Sequence, residues 1–445
     1  MSRVLILATT TGYQTRSFGE AAERLGVELV FATDRCHVID DPWQDGAIPI
    51  RFYDEDHSVR TLVDSLRFRP IDGILAVGDR PTVIAARVAE GLGLPGHPPS
   101  AAEAARDKER SRGRLRDAGL PVPWFVPSPL YADPGALVTR VAFPCVIKPV
   151  ALSGSRGVMR ADNVEQFFAA YARLQTLMRQ PEIRAEQDEA HERLLIEGFI
   201  AGRECALEGV LHHCGLTVLA LFDKPDPLDG PFFEETIYVT PSSLDVGTQA
   251  RVTETVARAA AAIGLTHGPI HAECRVNDQG VFVLEVAARP IGGLCARALR
   301  FEKRGRTPFS EGSEKGVRPL FSGDPPISLE ELLLRHSLGE SPEKWGRESL
   351  SSGVMMIPIP RRGVFRHAEG LEEARAVAGI DDIRLTAKAD QLLVPLPEGA
   401  SYLGFIFARA DQPGEVDRAL RAAHGLLRFA IDPQVPVLRY NHPND

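Results

Sequence analysis

Two glutamates in the stretch HGPIHAECRVNDQGVFVLEVAAR have the residue type and surroundings of a metal site. The runs flanking NDQG predict a hairpin, with Glu273 on its first strand and Glu285 on its second. Counted outward from the turn, the two carboxylates stand near the same height. Side by side in apolar strands they would repel and raise each other's pKa unless a cation lay between them. A hard, oxygen-preferring ion such as Mg²⁺ suits that place. Arg289 follows Glu285 by four residues, near the end of the strand. The same residues would also serve as a purely structural salt-bridged cluster.

A second group lies in FPCVIKPVALSGSRGV, where Lys148 ends a hydrophobic strand and a loop of small residues follows, Ser153, Gly154, Ser155 and Gly157. Such a loop lets backbone N–H groups approach phosphate oxygens while a lysine supplies point charge. The pattern is not GxxxxGK[ST], and an ordinary hairpin turn would read the same way. A third group is RLLIEGFIAGRECALEG, in which a strand ends at Glu197 and restarts at Glu204 after Gly198 and Gly202. Those two carboxylates could meet an adenine amino group and a ribose diol, or sit in solvent at strand ends.

The elements that must position these residues follow from hydrophobic periodicity. Over the first ~100 residues, RVLILA, VELVFAT and DGILAVGD read as strands alternating with helices, which means a parallel sheet with right-handed crossovers. Ligands of such sheets gather at the carboxyl ends of strands, here TTTGY and VGDRP. TTTGYQ has no GxGxxG, so it reads as a substrate-facing or structural loop rather than a dinucleotide site. Residues 101–118 form one amphipathic helix with Ser100 as its cap. A small α/β module follows, with a strand over 142–148, a helix over 163–179 and a strand over 193–197. From 203 to 290 the strands are longer and antiparallel in style. Residues 302–325 are polar and rich in Gly, Pro and charge, as in a mobile loop. The last unit, about 351–430, alternates GVMMIPIP, QLLVPLP and YLGFIFAR with the helices EGLEEARAVA and EVDRALRAAHGL, an α+β pattern.

At 445 residues the chain exceeds a single ordinary core. Its 44% hydrophobic and 25% charged residues are globular values, and a net charge of −9 gives no basic footprint for nucleic acid or anionic lipid. The six cysteines, with no CxxC pair, read as small buried hydrophobes in a reducing compartment. The N-terminus lacks a signal-peptide pattern, and no apolar stretch approaches the ~18 residues of a membrane span. A cytoplasmic location is expected.

The order Lys108, Lys148 with its loop, Glu197 and Glu204, then Glu273, Glu285 and Arg289 resembles the ATP-grasp superfamily over about residues 1–300. The resemblance implies a nucleotide held between two α+β lobes. Lys108 and Lys148 would reach its phosphates, with the 153–157 loop folding over them. Glu197 and the backbone of Phe199 and Ile200 would meet the adenine, and Glu204 the ribose. Glu273 and Glu285 would hold Mg²⁺, with Mn²⁺ as a substitute, and Arg289 would steady the transferred phosphoryl group. The superfamily often carries asparagine two residues after the second metal glutamate; here Ala287 stands there, which leaves one versus two ions open. DKPDPLDGPFFEETIYVTPSSL, EVAARPIGGLCARALRF and the unit after 350 are similar to bacterial L-amino-acid (dipeptide) ligases. By that resemblance Glu234, Glu235, Tyr238, Gly292 and Gly293 would line the amino-acid pocket. The first three also fit an ordered surface hairpin. His271 would face the same side of its strand as Glu273, touching phosphate or substrate or resting as a satisfied core histidine.

The fold class expected is therefore multidomain α/β and α+β: an ATP-grasp fold with an N-terminal Rossmann-like parallel-sheet domain and a C-terminal α+β domain. Its parts are an N-terminal domain 1–98, an ATP-grasp core 99–305 with a mobile lid 136–200, a linker with helix 306–350 and the C-terminal domain 351–445. The activity implied is ATP-dependent joining of a small-molecule carboxylate to an amino-acid-like amine through an acyl phosphate, releasing ADP and phosphate. A homodimer is compatible with this, and neither nucleic acid nor membrane is an expected partner. Alternatives with the same lobes are a glycinamide-ribonucleotide-synthetase-like or biotin-carboxylase-like enzyme. From another class, a non-catalytic nucleotide-binding regulator remains.

Overall fold

The computed structural model describes residues 1–9, 13–34, 47–304 and 325–433. Most of the TTTGY loop, Cys36 and all but the ends of the polar 302–325 segment lie outside the described residues. The first sheet is parallel in the order β3-β2-β1-β4, from β1 (Arg3–Ala8), β2 (Glu28–Thr33), β3 (Ile48–Pro49) and β4 (Gly73–Val77). Its centre is β1, apolar from Val4 to Ala8 because both faces are covered. Val4 and Ile6 pack towards α1 (Tyr13–Leu25), and Leu5 and Leu7 towards α2 (Glu55–Arg67) and α3 (Thr82–Leu92).

The helix expected over 101–118 is two. α4 (Pro99–Arg106) stops at Asp107, whose backbone is extended and whose carboxylate accepts from the N–H groups of Glu109 and Arg110 to start α5 (Lys108–Asp117). Ser100 is inside α4 and caps nothing; the cap position is Pro98. The break puts Lys108 in the first turn of α5, where its N–H donates to Val150 O at 3.0 Å.

A four-stranded sheet in the order β5-β8-β6-β7 comes next, from β5 (Phe125–Pro129), β6 (Cys145–Pro149), β7 (Met159–Ala161) and β8 (Arg193–Gly198). It carries α6 (Pro134–Val138), α7 (Val164–Met178) and α8 (Pro181–Arg184). Its own core forms where Phe167, Tyr171 and Leu174 of α7 meet Ile147 and Ile196.

The largest sheet has eight strands in the order β13-β12-β9-β10-β11-β17-β21-β19. Its first half is β9 (Arg203–His212), β10 (Gly215–Asp223), β11 (Ile237–Thr240), β12 (Gly268–Asn277) and β13 (Gly280–Ala287), with α9 (Val246–Ile263) between β11 and β12. Alternation along β9 and β12 separates two faces. Cys205, Leu207, Ala272 and Cys274 bury against Val252, Val256 and Ala260 of α9. Glu204, Glu208, His271, Glu273 and Arg275 occupy the opposite face.

A short sheet of β14 (Arg300–Lys303), β15 (Ile327–Ser328) and β16 (Trp345–Arg347) leads with α10 (Leu329–Ser337) into the last region. There β17 (Ser351–Ile357) pairs with both β11 and β21 (Gly404–Ala410), and β19 (Ile380–Leu385) pairs with β21. Three of the strands after 350 thus extend the core sheet. A small sheet of β18 (Gly363–Glu369), β20 (Leu392–Leu393) and β22 (Arg428–Asp432) completes the region. EGLEEARAVA forms helix only over α11 (Leu371–Arg375), and QLLVPLP only the two-residue β20, whereas EVDRALRAAHGL is α12 (Pro413–Leu426). Among the described residues no helix is long and apolar enough to cross a membrane.

Candidate active site

A cleft of about 790 Å³, counting its open mouth, lies between the four-stranded sheet and the acidic face of the eight-stranded one. Its wall includes Lys108, Lys148, Gly154, Ser155, Glu197, Glu204, Glu235, Glu273, Arg275 and Glu285. The apolar part is Val146, Leu152, Val158, Phe199, Phe233 and Leu284, with the Phe199 and Phe233 rings stacked at 6.3 Å.

The hairpin brings the two expected metal carboxylates together. Glu273 and Glu285 are direct cross-strand partners, beside an irregularity between Glu273 and Cys274. Their side chains are 25% and 26% exposed, against 8% for Glu204, 5% for Glu197 and 0% for Glu208. Of the site's glutamates on these strands, these two are the ones open to a ligand. Each already faces a lysine, Glu273 with Lys224 Nζ at 3.2 Å and Glu285 with Lys108 Nζ at 3.3 Å. Burial opposes charge on Glu273, but Lys224 and His271 override it and hold its carboxyl well below the usual range. A pair of hard oxygen donors open to the cleft fits a divalent cation of the Mg²⁺ kind. Ala287 lies opposite His271 and is buried, so it offers no ligand atom.

Lys224 is the centre of a second acidic group. Its ammonium donates to Glu204 at 2.8 Å and Glu235 at 2.6 Å as well as facing Glu273, and the three carboxylates have oxygens within 4.8 Å of one another. Burial and then the negative charge of Glu273 push Glu235 up to about 7, even with Lys224 beside it. Tyr238 OH donates to Glu235 at 2.9 Å. Arg275 donates to Glu204 at 2.9 Å and to Ile200 O at 2.7 Å, and lies over the Phe199 ring at 5.1 Å.

Lys148 is largely buried in the cleft wall, and its ammonium contacts Glu197. Glu197 also accepts from Arg112, with the closest approach at 2.9 Å. Arg112 continues to Val283 O at 2.7 Å and Leu284 O at 3.3 Å on the Glu285 strand of the hairpin. Burial opposes the Glu197 charge; Arg112 and Lys148 outweigh it and keep the carboxyl below its ordinary value. Lys108 Nζ donates to Leu152 O at 2.8 Å, which ties α5 to the start of the glycine loop. In that loop Gly154, Ser155 and Gly157 all have positive φ, 63°, 55° and 74°. A Cβ on Gly157 would come within 2.9 Å of Leu177 and 3.0 Å of Leu174, so only glycine fits.

Arg289 does not hang free at the strand mouth. It clasps Asp79, in the loop after β4, with Nε at 2.8 Å and a second nitrogen at 2.9 Å. Asp79 is held below its usual range despite burial, because Arg289 faces it. His271 sits between two carboxylates, Nδ1 3.1 Å from Glu208 and Nε2 3.8 Å from Glu273. Burial disfavours its charge, but those neighbours raise it to about 9, so it is an imidazolium at neutral pH.

The sequence matches the family described as ATP-grasp domain over residues 141–298, ATP-grasp N-terminal domain over 19–96 and L-amino acid ligase C-terminal domain 2 over 355–432. The chain belongs to the ATP-grasp ligase family. The L-amino acid ligase from Bacillus licheniformis superposes with a TM-score of 0.79 at 26% identity, over 97% of this chain and 99% of that one. Phosphoribosylglycinamide synthetase from Anaerococcus prevotii shares the fold, with a TM-score of 0.63 at 14% identity, covering 97% and 100%. Carnosine synthase 1 of Gallus gallus is 30% identical over 55% of this chain and 27% of its own length. Alanine–anticapsin ligase of Bacillus subtilis is 25% identical over 54% and 52%. The chain thus matches about a quarter and about half of those two relatives.

Several side chains of this ATP-grasp ligase differ from the sequence expectation. Glu197, expected at the adenine, is spent on Arg112 and Lys148, and the Phe199 N–H donates to Pro144 O at 3.0 Å. Glu204, expected at the ribose, is buried between Arg275 and Lys224. Tyr238 is 2% exposed and reaches the cleft only through Glu235, while Glu234 is half-buried outside the cleft wall. Gly293 packs on Phe405, and its carbonyl accepts from Gln14 at 2.7 Å; Gly292 lies beside Arg289. Asp79 lies in VGDRP, one of the two strand ends expected to face ligands, whereas Arg112, Lys224, Arg275 and Glu208 are outside the expected site residues. For Arg275 and Glu208 a signal existed, since strand alternation places them on the face of Glu273 and Glu204.

Proposed function

We propose that this chain is an amino-acid ligase joining the carboxylate of one amino-acid-like substrate to the amine of another, with ATP converted to ADP and phosphate. The observation that carries the reading is the register-paired Glu273 and Glu285, open to one cleft with Lys108 and Lys148 in its wall. The C-terminal match and the likeness to alanine–anticapsin ligase support an amino-acid substrate. The Glu235 carboxylate at the cleft would receive an ammonium group.

ATP and a carboxylate nucleophile together bring about five negative charges, and approach requires cations placed in advance. Lys108, Lys148 and Arg289 would supply them from the protein. Mg²⁺, or Mn²⁺ in its place, held by Glu273 and Glu285, would neutralise phosphate oxygens. One carboxylate oxygen attacks the γ-phosphorus as the bond to the ADP oxygen breaks, giving an acyl phosphate. The neutral amine then attacks the acyl carbon, phosphate departs with the bonding pair, and the nitrogen loses a proton. Water would destroy the acyl phosphate, so the 136–200 unit and its glycine loop would close as a lid.

The test is ADP and phosphate release with amino acids offered singly and in pairs, with products weighed by mass spectrometry. Release that depends on a pair, with an amide of matching mass, is expected. Turnover driven by bicarbonate or a phosphoribosylamine, without response to amino acids, overturns the reading.

A further inference from the structure

Four imidazoles gather beyond the end of β12, away from the cleft. His212 closes β9, His213 begins the tight turn into β10, His267 precedes β12, and His336 lies in the last turn of α10. His267 is six residues from Glu273, roughly 20 Å at ~3.4 Å per residue, so this group is separate from the candidate active site.

The backbone holds the group in place. His213 and Cys214 form the turn, with φ of 48° and 70°, and Cys214 N–H donates to Thr266 O at 2.8 Å. Thr266 N–H in turn donates to His97 Nδ1 at 3.3 Å. Ring centroids are 4.5 Å apart for His212 and His213 and for His267 and His336, and 5.3 Å for His267 with either His212 or His213. Ligating nitrogens of His212, His213 and His267 lie within 4.8 Å of one another. His212 Nδ1 is 3.3 Å from His336 Nε2. His267 Nδ1 is buried and has no hydrogen-bond partner, a costly state for a polar atom unless something binds it.

We propose that His212, His213, His267 and His336 form a binding site for a divalent transition-metal ion of the zinc type. Four neutral nitrogen donors suit Zn²⁺ and not Mg²⁺, which demands oxygen. A tetrahedron with arms of ~2.0–2.1 Å has edges of about 3.4 Å, so side-chain rotations of about 1 Å close the observed group around an ion. The ion would staple the β9–β10 turn and the loop before β12 to α10, whose Leu332 and Leu333 belong to the core shared with the N-terminal sheet.

The experiment titrates metal-stripped protein with Zn²⁺ in millimolar Mg²⁺, which occupies the carboxylates of the cleft. It uses a C214S background, because the Cys214 thiol is exposed and could bind zinc alone. Expected are one Zn²⁺ per chain by calorimetry, a rise in Tm, and d–d absorption of tetrahedral intensity when Co²⁺ replaces zinc. H213N, at an exposed turn position where asparagine tolerates positive φ, and H267Q should each weaken binding at least tenfold. Zinc affinity unchanged in H213N, or no binding and no rise in Tm in C214S, overturns the proposal whether or not H267Q folds.

Discussion

Arg289 reaches Asp79 with two nitrogens, a geometry that lysine cannot reproduce with one compact charge. The guanidinium is thereby held at the strand mouth by a residue of the N-terminal sheet. R289K should lower kcat and kcat/KM together by about 10²-fold, with the ATP Kd nearly unchanged, as for a group acting in the transition state. D79N, which leaves the arginine present but less firmly held, should lose about tenfold. Steady-state kinetics beside nucleotide calorimetry check both; a loss wholly in ATP Kd would make Arg289 a ground-state clamp. Arg112 offers a stability test. R112M leaves Glu197 buried with one cation fewer and two carbonyls unpaired, and should cost about 3–5 kcal/mol in urea unfolding. A cost below about 1 kcal/mol would show that the buried carboxylate is satisfied by Lys148 alone. The sequence around Arg112 reads RSRGRLRD, with arginine at 110, 112, 114 and 116. Nothing local distinguishes the member that is 2% exposed, because its burial is decided by β8 and β13 packing over α5.

At the scale of elements, the hairpin that pairs Glu273 with Glu285 was legible because turn chemistry and alternation agree. NDQG fixes the register, and the register makes Glu273 and Glu285 neighbours. The split of α4 and α5 was not, because AAEAARDKERSRGRLRDA keeps helical spacing throughout. The split rests on Asp107 capping α5 and pairing with Arg193 at 2.5 Å, a contact from a strand far along the chain. The glycine loop carries its own test. Gly157 has positive φ, abuts Leu174 and Leu177, and donates its N–H to Pro397 O at 2.9 Å. G157A should destabilise the 125–198 unit by about 2 kcal/mol through left-handed strain and crowding. It should also weaken ATP binding. Hydrogen exchange confined to that unit, alongside nucleotide titration, reads the effect; unchanged exchange and affinity would show that the loop shifts freely.

Across the whole molecule, His97 joins the N-terminal unit to the core. It accepts from Thr266 N–H through Nδ1 and sits 3.2 Å from Pro269 O through Nε2, an arrangement that requires the neutral ring. Burial lowers its pKa to about 4, against about 6.5 in an unfolded chain. Above about pH 6.5 neither state takes up the proton. As pH falls towards 4 only the unfolded chain binds it, so stability falls, by up to about 3 kcal/mol for a full shift. His267 and His336 act in the same direction. Urea unfolding at pH 7 and pH 5 should show this loss, and H97Q should shrink it. An equal pH dependence in H97Q would assign the effect to the other histidines.

The sequence by itself determined the elements whose pattern is local. These include β1, the strand–helix alternation of the first hundred residues, the β12–β13 hairpin, the glycine loop and α12. Each follows from residue periodicity or turn chemistry within some twenty residues, and the order of charged residues along them was enough to indicate an ATP-grasp fold. Which partner each charge takes was decided by the tertiary structure. Lys224 lies among Glu204 of β9, Glu273 of β12 and Glu235 of the loop before β11, Glu197 turns to Arg112 and Lys148, and Arg289 reaches across to Asp79. β17, β21 and β19 likewise join the core sheet because β11 presents an open edge to β17. A buried charge must be neutralised by whatever packing brings near it, and a strand edge pairs with whichever strand reaches it. Neither partner need be close in sequence.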